Sequence, residues 1–143
     1  MQRASSSKSN GRDFSWRLGT DAGSIPAARH AFEVWLRAHA VVDDDVHDMA
    51  VVVSELASNA AIGSPAGATA QISATVSRGE LRLEVSNEVD PERADVQHWD
   101  LEDPLRGGGR GLLIVRAYTD TMEVDSVGGT VTVRCARRLD VAS

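Results

Sequence analysis

Between Gly63 and Thr69 the apolar residues of this chain change period, from the three-to-four spacing of a buried helix face to the strict alternation of a strand. Helices therefore come first and hairpins after, and a layer of helices over an antiparallel sheet is the arrangement that buries both. Upstream, Phe14-Ser-Trp-Arg-Leu18 alternates and predicts a short first strand. Ser24 and Pro26 mark a helix start, and Ala28, Ala31, Phe32, Trp35, Leu36 and His39 recur at helical spacing to about Ala40. Asp43, Asp44 and Asp45 are expected to cap a second helix and to suit its positive end, with Val46, Met49, Val53, Leu56 and Ala60 as its buried stripe and a stop near Gly63-Ser-Pro65. From Thr69, Ala70, Ile72, Ala74 and Val76 face one way, as do Leu81, Leu83 and Val85 beyond the turn at 77–80, which predicts a hairpin. Met122 and Val124 with Val131, Val133 and Cys135 predict a closing hairpin around Gly128-Gly129. The polar stretch from Glu88 to Arg106 is too long for a simple connection and reads as a functional loop or lid, followed by a helix from about Gly111 to Tyr118. The fold class is α+β: a two-layer α/β sandwich, a mostly antiparallel sheet with helices on one face.

Composition bounds the function. A chain of 143 residues, 42% hydrophobic and 25% charged, fits one compact domain, placed at 13–140 behind a polar tail at 1–12 expected to be disordered. A net charge of −6 argues against direct nucleic-acid binding, and no apolar run reaches the ~20 residues of a membrane span. Arg3, Lys8 and Arg12 precede no apolar core, so the start does not read as a signal peptide, and the cytoplasm is the expected compartment. Cys135, the single cysteine, excludes an internal disulfide and a cysteine-based metal site; it reads as a packed thiol. Lys8 is the only lysine among fifteen basic residues, a bias that fits a GC-rich bacterial genome.

Two constellations carry chemistry. In Arg106-Gly-Gly-Gly-Arg-Gly-Leu-Leu-Ile-Val115, glycines run into an apolar helical stretch; unpaired backbone N–H groups and the positive end of a helix there would hold phosphate. Glycine-rich turns before helices are common, so the run needs support from elsewhere. Glu55 and Asn59, four residues apart on the second helix, point the same way at the edge of its apolar stripe. A carboxylate and an amide so placed can hold Mg²⁺ and polarise a hydroxyl; the plainer reading is an ordinary polar pair on an amphipathic helix.

Taken together, Glu55-Leu-Ala-Ser-Asn59-Ala60, Gly109-Arg-Gly-Leu112 with Val115-Arg-Ala117, and Gly129-Thr130 resemble, in order and spacing, the N box, second glycine box and last-strand Gly-Thr of the GHKL (Bergerat-type) ATP-binding domains, specifically the anti-sigma factor and serine-protein kinase branch. The resemblance covers roughly Phe14 to Leu139. It implies ATP with Mg²⁺ held between helices and lid. Glu55 would be general base toward water or a substrate hydroxyl, and Asn59 the Mg²⁺ ligand. Gly107, Gly108, Gly109 and Gly111 would lie under the phosphates, with Arg110 a cationic neighbour and Leu112 and Thr130 near the nucleotide. The implied function is an anti-sigma factor that phosphorylates a serine or threonine on an anti-anti-sigma, STAS-domain antagonist, with a sigma factor as second partner and a homodimer as assembly. Asn87 departs from the pattern: it stands where the adenine-binding aspartate belongs, and no glycine follows. An asparagine still accepts through its carbonyl oxygen, as a neutral and weaker partner. Gly63, where relatives often carry histidine, is a milder departure.

The alternative is a binding module that keeps the fold but captures its partner stoichiometrically, which Asn87 favours and Glu55 with Asn59 opposes. A transmitter-type histidine kinase is disfavoured because 143 residues leave no dimerisation domain with a phosphoacceptor histidine. His30, His39, His47 and His98 lack metal-ligand spacing, and His30 and His39 read as decoration on the first helix. Trp99 reads as an aromatic packed back on its own domain rather than a partner contact, and Arg134, Arg137 and Arg138 as a solvated strand end.

Overall fold

The computed structural model describes residues 13–19, 23–64, 67–89 and 104–140, with side chains at 63 and 104–110 left aside. The expected tail at 1–12, most of the expected lid, His98 and Trp99 lie outside the described residues. Among the described residues eight elements follow in order: β1 (Asp13–Leu18), α1 (Ser24–Ala38), α2 (Asp43–Gly63), β2 (Ala70–Ser77), β3 (Glu80–Glu88), α3 (Pro104–Ala117), β4 (Thr121–Val127) and β5 (Thr130–Arg138). The strands form one antiparallel sheet in the order β1-β2-β3-β5-β4. Alternation sorts its residues. Ile72, Ala74, Leu81, Leu83, Val85, Val133 and Cys135 are buried in the same core as Phe32, Leu36, Met49, Val53, Leu56, Leu112 and Val115 of the helices. Arg82, Glu84, Asp125 and Arg134, on the opposite face, are exposed. This is the α+β sandwich that the periods predict.

Local chemistry explains most boundaries. α1 ends because Ala40 turns left-handed at φ 61°, letting Val41 N–H reach back to Leu36 O and Ala40 N–H to Arg37 O. Arg78 and Gly79 at one hairpin tip, and Gly128 and Gly129 at the other, all have positive φ, the requirement of the tight turn that matches strand twist. Burial pushes the Cys135 thiol up to about 12, which keeps it protonated and unreactive in the folded chain.

Three expectations are corrected. The last helix does not begin near Gly111; α3 starts at Pro104, and the glycine run lies inside it. Proline is favoured at a first helical position because its fixed φ fits and its missing N–H is not needed there. Leu112 and Val115, buried under the sheet, then anchor the helix, and each glycine added to it costs only about 1 kcal/mol. The aspartates at 43–45 do lie in the first turn of α2, but Val42 is its N-cap and no side chain caps it. Asp45 is instead drawn down to the sheet, where it accepts from Arg137 and from Asp140 N–H. Arg137, in turn, is not part of a solvated strand end. It shares the inward register of Val133 and Cys135 and bridges Asp45 and Asp48, whereas Arg134 pairs with Glu84 and Asp125 on the open face. Those two carboxylates hold the Arg134 guanidinium above its ordinary pKa.

Candidate functional site

The apolar stripe of α2 (Val52, Val53, Leu56, Ala57, Ala60) is fully buried, which leaves Glu55 and Asn59 half-buried along its margin. α3 packs against α2 on that side. The approach is close at Gly111. A Cβ there would stand 2.9 Å from Glu55 Oε1, 3.4 Å from Asn59 Nδ2 and 3.9 Å from Asn59 Oδ1. With no side chain at 111 the Glu55 carboxylate can rest against the bare backbone of α3, so the fold unites the carboxylate, the amide and the glycine motif that the sequence holds far apart.

The polar groups at this junction are unfinished. The Glu55 carboxylate makes no hydrogen bond or ion pair among the described residues. Asn59 Nδ2 is buried without an acceptor; the Ser54 hydroxyl, on the side of α2 that faces α1, is also without a partner. Leaving such a donor unpaired costs about 1–3 kcal/mol, so an orphan beside an unpaired carboxylate marks a place that a polar ligand completes. A phosphate oxygen for Nδ2 and a hard cation for Asn59 Oδ1 both fit this donor set.

Asn87 lies on the helix-facing side of β3, opposite Val131 of β5, and is only 4% exposed. Its Nδ2 donates to Glu88 O at 3.0 Å. A carbonyl can only accept, so this contact fixes the amide orientation and leaves Oδ1 as the free acceptor. Leu112 is fully buried and seats α3 in the core. Thr130 sits beside Glu88, and the alternation of β5 puts it on the face opposite Val131 and Asn87. Gly107, Gly108, Gly109 and Arg110 fall in the first half of α3; the Arg110 side chain lies outside the described residues. Because the first turn of a helix holds its unpaired donors, within α3 these are the N–H groups of 105 and 106, while those from 107 onward point back to carbonyls four residues earlier. The anion-binding end of α3 is thus its N-terminus at Pro104, nearly two turns before the Gly111 junction.

Glu55 has a second neighbourhood that motif reading misses. It also borders a cleft between α1 and α2, on whose wall His30 sits. The signal was available in the polar rows spaced at i, i+3 and i+4 along both helices. His39, by contrast, is tied through Nδ1 to Trp35 O at 3.0 Å. No described helix is long and apolar enough to cross a membrane.

Residues 19–135 match the family model of the histidine kinase-like ATPase domain. No curated protein matches the sequence. Among solved structures, the RsbU and RsbW domains of Rv1364c from Mycobacterium tuberculosis align with 92% of this chain and 33% of theirs, at 17% identity and a TM-score of 0.69. The SiaB-SiaC complex from Pseudomonas aeruginosa aligns over 86% of this chain and 88% of that one, at 15% identity and a TM-score of 0.61. The histidine kinase domain of a blue-light activated histidine kinase from Erythrobacter litoralis aligns over 97% and 65%, at 19% identity and a TM-score of 0.54. This chain therefore spans about a third of the Mycobacterium chain, and at these identities the three likenesses concern the fold.

Proposed function

Because the chain belongs to the histidine kinase-like ATPase domain family, we propose that it is an anti-sigma factor of the serine-protein kinase type, binding ATP with Mg²⁺ and phosphorylating a STAS-domain antagonist. The observation that carries this reading is the junction at Gly111, where a bare helix backbone meets Glu55 and Asn59. Asn59 would hold the metal through Oδ1. Asn87 would accept from the adenine amino group through the oxygen that its bond to Glu88 leaves free. The phosphates would lie at the N-terminal end of α3, where its free N–H groups are, with Gly107 to Gly109, Arg110 and Gly111 along the helix beside them. Bound Mg²⁺·ATP supplies the activated phosphoryl group and the charge neutralisation its transfer requires. Glu55 would orient the serine hydroxyl and take its proton as that oxygen bonds to the γ-phosphorus and the bond from this phosphorus to the β,γ-bridging oxygen breaks, with ADP leaving on the electron pair. Homodimerisation, capture of a sigma factor and a cytoplasmic site of action belong to the same proposal.

Titration with a fluorescent ATP analogue and Mg²⁺ tests the reading, with measurable binding expected and weakening expected in Asn59→Ala. No binding at millimolar nucleotide overturns it. Labelled ATP incubated with each STAS-domain protein of the same genome then tests transfer.

Asn87→Asp sets two effects against each other. An aspartate loses the bond to Glu88 O and buries a charge, lowering the stability of the free chain by about 1–3 kcal/mol. It gains a charge-assisted acceptor for adenine, worth roughly ten-fold in affinity. The expected result is a lower melting temperature without nucleotide and a tighter Kd with it. Asn87 also favours a second reading, a module that binds nucleotide weakly and captures its partner stoichiometrically; transfer assays on the native chain separate the two.

Gly111→Ala separates site from scaffold. The added methyl meets the movable end of Glu55, which swings aside, and alanine in a helix interior gains about 0.5–1 kcal/mol over glycine. Thermal melting should therefore change little while phosphoryl transfer falls at least ten-fold, on the order of 1.4 kcal/mol of barrier. Full transfer in this variant would show that the close approach has no part in the chemistry.

A further inference from the structure

β1 lies at one edge of the sheet, so among the described residues its outer row of backbone N–H and C=O groups has no strand beside it. Its sequence suits pairing with itself. Laid antiparallel against a second β1 about a two-fold axis at Ser15, the residues at 13–17 set Asp13 against Arg17 of the second copy, Phe14 against Trp16, and Ser15 against Ser15. Asp13 and Arg17 are both exposed on the open face of the sheet. Four positions apart on an extended strand, ~13 Å, they are too distant to meet within one chain. Across the axis they meet twice. Phe14 and Trp16 share the other face, where their rings stack with centroids 6.1 Å apart. β4, at the opposite edge, carries Glu123 and Asp125 on its open face and no base, so a second copy there would set acid against acid.

The helix above this strand is divided in the same sense. Its charged side chains all fall on the flank toward α2: Arg29 and Glu33 line the cleft between the two helices, and Arg37 pairs with Asp43. At about 100° per residue, Ala27, Ala31, Val34 and Ala38 form the flank turned away from α2, and Val34 is 55% exposed there. Because α1 packs on β1 and α2, while α2 packs on β2, β3 and α3, that uncharged flank overhangs the free edge of β1. The two centres coincide. Phe14, next to Ser15, meets Phe32 and Trp35 at ring distances of 5.4 and 5.5 Å, level with Ala31 and Val34 at the middle of the flank. One axis therefore serves strand and helix together. We infer that the edge of β1, with the outer flank of α1, is the surface through which a second copy of this chain binds, joining the two five-stranded sheets into one and setting α1 beside α1. Alanines at the contact let the helix axes approach to about 8 Å. The contact is isologous and closes at two copies. The inference rests on the homodimer in the reading above and supplies its surface. α2 and α3 lie beyond α1 from the axis, so Glu55, Asn59 and Gly111 stay open.

Sedimentation velocity of the full chain, from micromolar to millimolar concentration, reads the assembly, and a dimer is expected. Asp13→Arg and Arg17→Asp each place like charges opposite one another twice, and each should weaken the dimer at least about ten-fold, ~1.4 kcal/mol. The two substitutions together restore opposite charges across the axis and should bring the dimer constant back to within about three-fold of the native one. Val34→Glu, which puts carboxylates into the helix contact, should leave a monomer. Ser15→Cys should give a disulfide-linked dimer under mild oxidation, because directly opposed residues of antiparallel strands have Cα atoms ~4.5–5.5 Å apart, within disulfide reach. Ser73→Cys, one strand further in, should not, and the buried Cys135 takes no part. A monomer at millimolar concentration, a dimer indifferent to the charge reversals or to Val34→Glu, no rescue in the paired swap, or equal cross-linking at 15 and 73 overturns the inference. Melting curves identify any variant that fails to fold, and Ser15→Cys, which changes one atom, then carries the test. Titrating the ATP analogue into the same samples keeps the two questions apart. A dimer that binds no nucleotide sinks the kinase reading alone, and a monomer that binds it sinks only this interface.

Discussion

Glu55→Gln is expected to lower phosphoryl transfer by on the order of 10²–10⁴-fold, the usual contribution of a positioned general base, while nucleotide binding stays within about three-fold of the native chain. Glutamine is the right probe because it keeps the shape of the side chain. Its amide can still rest against Gly111, where the native Oε1 lies 2.9 Å from the place a Cβ would take, so the seating of α3 on α2 is preserved. What is lost is the ability to take a proton. Binding is read with the fluorescent ATP analogue and transfer with labelled ATP on the same preparation. Transfer at the native rate would move the base elsewhere. Loss of nucleotide as well as transfer would mean that Glu55 holds the ligand rather than the proton. Gly111→Ala reaches the same carboxylate by a different route, so the double variant should be no worse than Glu55→Gln alone; groups that act as a unit are not additive.

How far the sequence discloses this site depends on which physical signal each residue leaves. Glu55 and Asn59 are visible because helical spacing alone sets them on one face. Both hairpin tips are visible because a left-handed backbone selects glycine at 79, 128 and 129. The start of α3 is obscured because the glycines at 107–109 argue locally for a turn, while the anchor that makes them helical, Leu112 and Val115 under the sheet, is tertiary. Pro104 was the local clue to the true start. Arg137 was readable too: counting by twos from Val133 and Cys135 puts it on the helix face, where an unpaired charge is not tolerated. The same count sets Thr130 on the opposite face from Asn87. The proximity of Gly111 to Glu55 could not be read from spacing, because it depends on how closely two helices pack and on an absent side chain.

Arg137→Ala should cost about 3 kcal/mol of stability, and the reason ties the scaffold to the site. The guanidinium gathers three elements at one point: Asp45 and Asp48 on α2, the Tyr118 carbonyl at the end of α3 at 3.1 Å, and its own strand β5. Its side chain is 18% exposed and that of Asp45 is 7%, so this pair lies in a medium that screens poorly; the Asp48 side chain, 36% exposed, counts for less. Removing the arginine leaves Asp45 with only the Asp140 N–H at 2.8 Å to compensate a buried charge. At the usual entropy of unfolding for a domain of this size, the loss lowers the melting temperature by roughly 10 °C. If the penalty comes from the stranded carboxylate rather than from lost packing, Asp45→Ala in the Arg137→Ala background should restore part of it, and a double-mutant cycle by denaturant melts measures how much. A drop under about 1 kcal/mol would place Arg137 among the surface pairs, with Arg82 and Arg134. The clamp joins the start of α2 to the end of α3, the two helices whose closest approach sets Gly111 against Glu55. Conditions that keep Arg137→Ala folded should therefore still show weakened nucleotide binding, an effect that a charge reversal on the open face of the sheet will not reproduce.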